Sequence, residues 1–155
     1  MQRRFFVQTI AGLAGTSLLA PALMARTRPQ VEVWKDPNCG CCKDWVIHME
    51  ANGFDVKVHG SGNSAARKRL GVPEKLGSCH TALVDGYAIE GHVPAREVHR
   101  LLKERPAAVG LSVPGMPVGS PGMDGKIYGD RKDPYDVVLV SRNGGTRVYQ
   151  SYNRT

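Results

Sequence analysis

The chain has 155 residues, of which 41% are hydrophobic and 23% charged, and its formal net charge is +7. These values are typical of one ordinary globular domain, and they exclude both a disordered chain and a pair of large domains. The densest basic run, Arg67-Lys68-Arg69, has no aromatic residues between its charges. It is therefore expected to be a solvated helix face, and no nucleic-acid partner is expected.

The first 25 residues have the composition of a cleavable signal peptide. The pair Arg3-Arg4 precedes an apolar stretch at 5–20, and small residues follow it, which is the order of the charged, hydrophobic and cleavage regions of an export signal. The apolar stretch is too short and too interrupted to span a membrane comfortably. The paired arginines also fit a twin-arginine signal. We expect cleavage after Ala22 or Ala25, which leaves an exported chain with no membrane span.

Residues 31–105 are predicted to alternate between strands and helices. Apolar residues recur at helical spacing or alternate with polar ones, and glycine, proline and Asp-Gly mark the ends of the segments. In chain order the predicted elements are a strand at 31–34, a helix at 41–52, a strand at 54–59, a helix at 63–70, a hairpin with strands at 81–84 and 87–90, and a helix at 94–105. The strand at 54–59 is apolar on one face only, so we expect it at an edge of the sheet.

This order resembles that of the thioredoxin fold, in which cysteines lie at the first junction from strand to helix. We therefore predict an α/β fold with a thioredoxin-like mixed sheet flanked by helices over residues 31–105. Residues 106–155 are predicted to extend the same domain. Their first part, 106–134, is rich in glycine and proline and contains methionines, and we expect a long loop that is either functional or disordered. Strands at 137–140 and 146–152 are expected to form a hairpin that extends the sheet or covers its edge.

Three of the four cysteines, Cys39, Cys41 and Cys42, lie within four residues of one another. Packing does not require such a run, because a buried free cysteine behaves as a small hydrophobic residue. Cys39 and Cys42 have the C-x-x-C spacing of thioredoxin-like redox motifs, and a helix N-terminus stabilises thiolates there. Cys41 would compete for disulfide formation in such a motif, whereas it suits a site that needs another sulfur ligand. Adjacent helical residues point about 100° apart, so Cys41 and Cys42 suit a site with several metal atoms better than one tetrahedral zinc.

The fourth cysteine, Cys79, is followed directly by His80, just before the third predicted strand. In thioredoxin-like proteins this position holds a cis-proline that faces the redox cysteines. Four thiolates and His80 at one place favour a soft ion, with Cu(I) ahead of zinc and an iron–sulfur cluster. Two disulfides are the alternative, as is usual for four cysteines in an exported protein. That alternative gives His80 no role, and a bridge between Cys41 and Cys42 would be strained.

Three further residues are candidates for handling a metal ion. Met116 and Met123 lie among glycines and prolines, where no packed core is expected. A thioether is a soft ligand that suits the passage of Cu(I), although the methionines could equally cover the site or an apolar patch. His92 lies in a Gly-His-Val-Pro turn before the third predicted helix. It is either a structural histidine or one that contacts the metal or its ligands.

Four motifs resemble those of the CopG family of periplasmic copper-resistance proteins. They are Trp34-Lys35-Asp36-Pro37-Asn38-Cys39-Gly40-Cys41-Cys42-Lys43, Ser78-Cys79-His80-Thr81-Ala82, Glu90-Gly91-His92-Val93-Pro94, and the methionine-containing run at 115–123. The resemblance spans essentially the whole mature chain. It implies a thioredoxin-like fold and a cysteine-bridged copper site on Cys39, Cys41, Cys42 and Cys79.

The resemblance also implies a periplasmic protein of copper resistance that binds Cu(I) and is compatible with Cu(I)/Cu(II) cycling. Its partners would be copper ions and other periplasmic copper-handling proteins. If copper turns over as a substrate, the protein would be a copper oxidoreductase. The alternative function is a thiol–disulfide oxidoreductase that uses Cys39 and Cys42. A third hypothesis is a passive scavenger that delivers copper to a partner protein.

Overall fold

The computed structural model describes residues 27–154. The segment predicted to be a signal peptide, residues 1–25, lies outside the described residues. Seven strands and three α-helices form in the described part of the chain. They are β1 (Gln30–Lys35), α1 (Gly40–Ala51), β2 (Asp55–His59), α2 (Asn63–Arg69), β3 (His80–Val84), β4 (Tyr87–Glu90), α3 (Ala95–Glu104), β5 (Ala108–Ser112), β6 (Tyr135–Ser141) and β7 (Thr146–Tyr152). Short 3₁₀ helices lie at Glu74–Leu76 and Lys126–Tyr128.

The strands form one mixed sheet in the order β2-β1-β3-β4-β5-β6-β7. The pairs β1–β2 and β4–β5 are parallel, and the other neighbours are antiparallel. The predicted α/β class with a mixed sheet flanked by helices is confirmed, and the arrangement is consistent with a thioredoxin-like fold. The strand β2 lies at an edge of the sheet, as predicted from its one-sided apolar pattern.

The two faces of the sheet bury different sets of side chains, because successive residues of a strand point to opposite sides. On one face α1 and α3 pack through Trp45, Met49, Val98 and Leu101 against strand residues such as Ile89. On the other face lies a smaller cluster of buried residues, in which Val72 and Leu76 from the segment after α2 pack with Ala88 of β4 and Val140 of β6. None of the helices among residues 27–154 is both long enough and apolar enough to cross a membrane.

The prediction of a continuous loop at 106–134 was wrong at its start. Residues Ala108–Ser112 form β5, which pairs with β4 on one side and β6 on the other. The strand is short, and it carries Gly110 next to a register shift with β6. The strand has one β-branched residue, Val109, and no alternation of apolar and polar residues that would reveal it in the sequence. Its two neighbours supply its hydrogen bonds. The second hairpin, β6–β7, extends the sheet from β5.

Candidate metal centre

The N-terminus of α1 carries three of the cysteines. After β1 the chain turns through Asp36, whose carboxylate accepts a hydrogen bond from the Asn38 N–H at 2.8 Å and whose carbonyl accepts one from the Cys39 N–H at 3.1 Å. Cys39 caps the helix with an extended backbone, and the helix begins at Gly40. Cys42 is fully buried, whereas Cys39 and Cys41 are half-buried.

The four sulfur atoms lie within 4.8 Å of one another. The Cys41 sulfur lies 3.4 Å from that of Cys39 and 4.0 Å from that of Cys79. Metal–sulfur bonds of about 2.3 Å allow sulfurs at these separations to share an ion. The Cys79 sulfur therefore lies close enough to the other three for direct bridging by metal ions.

The structure has a disulfide between Cys39 and Cys42, and Cys41 and Cys79 are free. The pairing is that of the C-x-x-C motif, and two disulfides are not formed. In this state two of the four sulfurs cannot act as thiolate ligands. The group of four therefore becomes complete for metal binding only when the disulfide is reduced.

Strand pairing brings Cys79 to this helix terminus. In the antiparallel register of β1 and β3, Lys35 lies opposite His80. The residue before β3 therefore lies beside the end of β1, where α1 begins. The Cys42 sulfur contacts the backbone carbonyl of Cys79 at 3.7 Å. Sheet topology thus joins two motifs that are nearly forty residues apart in the sequence.

A buried ion pair fixes the segment that carries Cys79. Glu90 is fully buried and accepts hydrogen bonds from Arg67 at 2.9 Å, the Ser78 N–H at 2.7 Å and the Thr81 hydroxyl at 2.6 Å. Arg67 also donates to the Ser78 carbonyl at 2.6 Å. The expectation of a solvated basic face was wrong for Arg67, which is only 5% exposed. The one sequence signal for this pair was Glu90, a carboxylate that follows Ala88 and Ile89 in an otherwise apolar strand.

His80 and His92 form a second group with Cys79, and the ligand atoms of the three residues lie within 4.8 Å of one another. Both histidines are fully buried. The Cys79 sulfur lies 3.4 Å from His80 Nδ1 and 3.0 Å from His92 Nε2. His92 Nδ1 donates to the Pro121 carbonyl at 2.8 Å. The structure thus places His80 in a group that shares Cys79 with the four sulfurs but does not include Cys39, Cys41 or Cys42.

Burial controls the protonation of this second group. Burial first, and the nearby Cys41 second, raise the pKa of Cys79 to about 12. Burial lowers the pKa of His92, and it lowers the pKa of His80 well below its usual value. At neutral pH the thiol is therefore protonated and both imidazoles are neutral. Neutral imidazole is the form that binds metals, whereas the thiol must lose its proton when a metal binds.

The two candidate methionines occupy different environments. Met123 is buried, and its sulfur accepts a hydrogen bond from the Tyr128 hydroxyl at 3.4 Å. Met116 is 52% exposed. It lines a cavity of about 390 Å³ together with Ser78 and Cys79. A second cavity, of about 300 Å³, opens on the other motif and is lined by Cys39. Both cysteine motifs are thus reached from the surface.

Comparisons with known proteins identify relatives of this chain. Residues 76–123 match a family model described as "Protein of unknown function, DUF411". No curated protein sequence matches the chain. Two solved structures are similar to it, named "Copper resistance protein copG- Form 2" and "Copper resistance protein copG- Form 1", with TM-scores of 0.75 and 0.74. Each is 52% identical in sequence, and each match covers 81% of this chain and 98% of that chain. With this identity over most of both chains and the cysteine cluster in place, the chain belongs to the CopG family of copper resistance proteins.

Proposed function

We propose that this protein binds Cu(I) in the periplasm as part of copper resistance, through a site bridged by Cys39, Cys41, Cys42 and Cys79. The observation that carries the proposal is the set of four sulfurs within 4.8 Å of one another. Thiolates are soft ligands that select Cu(I) over harder divalent ions. The donor set therefore fits copper, which is the cargo or the substrate of this protein.

The residues around the sulfurs have separate roles in this proposal. A dithiol reductant opens the Cys39–Cys42 disulfide, and two electrons and two protons convert it to two thiols. His80 and His92 adjoin the site through Cys79 and keep the loaded site buried. Met116, at the mouth of its cavity, offers a soft sulfur to arriving Cu(I). Met123 is buried with its sulfur bonded to the Tyr128 hydroxyl, so it is less available to an arriving ion. Cycling between Cu(I) and Cu(II) is a further proposal, supported by the mixture of thiols and imidazoles around Cys79.

The test of this function is the variant Cys41→Ser. Each bridging thiolate holds more than one copper atom, so removal of one should reduce bound copper by much more than a quarter. Copper per chain is measured in the reduced protein, without oxygen and in the presence of a Cu(I) chelator. The matched control is Met116→Leu, which keeps the volume of the side chain and should retain tightly bound copper while it slows exchange with the chelator.

A thiol–disulfide oxidoreductase is the second candidate function. The disulfide between Cys39 and Cys42 at the N-terminus of α1 favours it, because the helix terminus stabilises a thiolate leaving group. Such an enzyme needs only Cys39 and Cys42. Full copper retention by Cys41→Ser, together with retained reduction of insulin by dithiothreitol, would support the oxidoreductase and reject the copper site.

We also propose that the working protein is exported and lacks residues 1–25, and that it exchanges copper with other periplasmic copper-handling proteins. The signal-like composition of this segment supports removal. Mass spectrometry of the protein from the periplasmic fraction should find a new terminus after Ala22 or Ala25. Soluble protein that keeps Met1 would reject the export proposal.

A further inference from the structure

We propose that the groove beside Cys39 binds the reductant that opens the Cys39–Cys42 disulfide, and that it selects a small thiol carrying a carboxylate group. The inference rests on the proposed function, in which this disulfide opens before the four sulfurs bind copper. It adds the chemical class of the reductant and the two residues that recognise it, Lys35 and Lys43.

The disulfide presents one of its two sulfurs to the groove. Cys39 is half-buried and lines the cavity of about 300 Å³, whereas Cys42 is fully buried. A thiolate attacks one sulfur of a disulfide and displaces the other, and access helps to decide which sulfur is attacked. An incoming thiol therefore bonds to Cys39, and Cys42 leaves.

The groove has the size and the lining of a site for a small molecule. Its volume lies at the lower end of the range for ligand pockets, about 300–1,000 Å³. Pro37, Val46 and Val58 give it apolar walls, and Val58, on the edge strand β2, is 48% exposed. The carbon chain of a small thiol can lie against these side chains while its sulfur meets Cys39.

Lys35 places a buried positive charge in the wall of the groove. It is only 6% exposed, and its ammonium group donates to the Asp36 carbonyl at 2.7 Å and to the Pro37 carbonyl at 3.5 Å. Within residues 27–154 it forms no ion pair with a carboxylate. Buried charges are normally paired, because it is costly to remove an isolated charge from water. A carboxylate bound in the groove would supply the missing counterion.

Lys43 adds a second positive charge beside Cys39. It lies one helical turn after Cys39, whose carbonyl accepts its N–H at 3.3 Å, and its exposed side chain lines the same groove. Among the described residues that line this groove, none is acidic. The charges therefore favour an anionic thiol over a neutral or cationic one. The effect should be stronger at buried Lys35, because solvent screens it less.

The reduction takes place in two exchanges. The first thiol loses its proton and its sulfur bonds to Cys39, while the Cys39–Cys42 bond breaks and Cys42 leaves as a thiolate that takes up a proton. A second thiol, from another molecule or from the same dithiol, then attacks the sulfur of the first and releases Cys39. The reductant ends as a disulfide and has lost the two electrons and two protons that the protein gains.

The test compares three small thiols of different charge, the anionic 3-mercaptopropionate, the neutral 2-mercaptoethanol and the cationic cysteamine. For each, the initial rate at which new thiols appear in the metal-free mature chain is measured by alkylation and mass spectrometry. This rate is divided by the rate with bis(2-hydroxyethyl) disulfide, which removes differences in thiol reactivity. We expect 3-mercaptopropionate to be preferred to 2-mercaptoethanol by at least about tenfold and cysteamine to be disfavoured. The preference should shrink as ionic strength rises.

Variants of three lysines locate the preference. Lys43→Gln should lower it about threefold, as expected for one exposed charge pair. The matched control Lys57→Gln removes the same charge from the face of β2 opposite Val58 and should leave the preference unchanged. Lys35→Gln should lower it by more than Lys43→Gln does. If Lys35 only fixed the backbone, its loss would change the rates of all three thiols equally.

The proposal is overturned if the protein shows no preference among the three thiols, or if Lys43→Gln leaves the preference unchanged. Equal losses in Lys43→Gln and Lys57→Gln would also overturn it, because they would assign the effect to the net charge of the chain. Lys43→Gln decides the matter if Lys35→Gln does not fold. Copper is absent from this assay, so failure of Cu(I) binding with the thiol preference intact would reject the proposed function and leave the groove standing. The reverse result would reject the groove alone.

Discussion

Gly122 determines how closely the methionine-containing segment packs on the cysteine helix. Its backbone has φ +85°, in the left-handed region that residues with a side chain rarely adopt. A Cβ atom at this position would lie 2.5 Å from the Cys41 carbonyl oxygen and 2.8 Å from the Trp45 nitrogen. The neighbouring Pro121 carbonyl is the acceptor for His92. The close approach of Gly122 to the first turn of α1 therefore also positions the carbonyl that orients His92.

We predict that Gly122→Ala destabilises the protein by at least about 2 kcal/mol, because the left-handed backbone and the clash with the helix backbone add. Equilibrium unfolding in urea of the metal-free protein measures the loss. Gly125→Ala is the matched control, since Gly125 has φ −69° and a Cβ there would meet no atom within 4 Å. Equal stability of the two variants would show that the close packing at Gly122 is not present in solution.

At the scale of elements, α2 holds the Cys79 segment through one side chain. Arg67 lies in the last turn of this helix and reaches the Ser78 carbonyl and the Glu90 carboxylate. The same arginine also pairs with Glu74 at 3.1 Å, and the Glu74 side chain is 82% exposed. Arg67 thus pairs with two carboxylates, the buried Glu90 and the exposed Glu74. Replacing each in turn compares their contributions to stability.

Replacement of the buried partner, Glu90→Gln, should cost about 2–4 kcal/mol, because it leaves the buried Arg67 charge without its main counterion. The exposed partner should matter little, and Glu74→Gln should cost less than about 0.5 kcal/mol. Both values come from urea unfolding of the reduced, metal-free protein at pH 7. Comparable losses in the two variants would contradict the assignment of Glu90 as the residue that fixes the Cys79 segment.

For the whole molecule, three histidines connect stability to pH. Burial lowers the pKa of His48, His80 and His92. His48 Nε2 accepts a hydrogen bond from the Ala95 N–H at the start of α3 at 3.0 Å, which a protonated ring cannot do. Below the unfolded value of about 6.5, the unfolded chain binds protons that the folded chain does not. The free energy of unfolding should therefore rise with pH in this range.

We predict that the metal-free protein is less stable at pH 5.5 than at pH 7.5, with fully buried His80 alone contributing up to about 1.4 kcal/mol per pH unit. Burial raises the pKa of Glu90, and this makes the free energy of unfolding fall as the pH rises. Glu90 is one titrating group, however, against three histidines that act in the other direction. Urea unfolding at the two pH values measures the difference. The variant His48→Gln should reduce the pH dependence, because it removes one of the three groups. Equal or greater stability at pH 5.5 would show that these histidines are protonated in the folded state.

The sequence by itself determined the local features, because these depend on neighbours in the chain. The spacing of apolar residues, with glycine or proline at the ends of segments, predicted the bounds of the helices and of most strands to within one or two residues. The short edge strand β2 followed from its one-sided pattern. The density of Cys39, Cys41 and Cys42 indicated soft-metal or disulfide chemistry before any contact was known. These signals act over a few residues, so they can be seen in the sequence.

Only the tertiary structure decided which distant residues meet. β5 forms because β4 and β6 offer it hydrogen bonds on both sides, whereas its own sequence has no alternation. Arg67 is buried because Glu90, on another element, neutralises it, so its basic neighbours in the sequence gave the wrong expectation. The separation of His80 and His92 from the four sulfurs, with Cys79 in both groups, depends on the register of β3 beside β1 and on the carbonyl of Pro121. These contacts depend on pairing between distant strands and on desolvation of side chains. Neither can be seen in the local pattern of residue types.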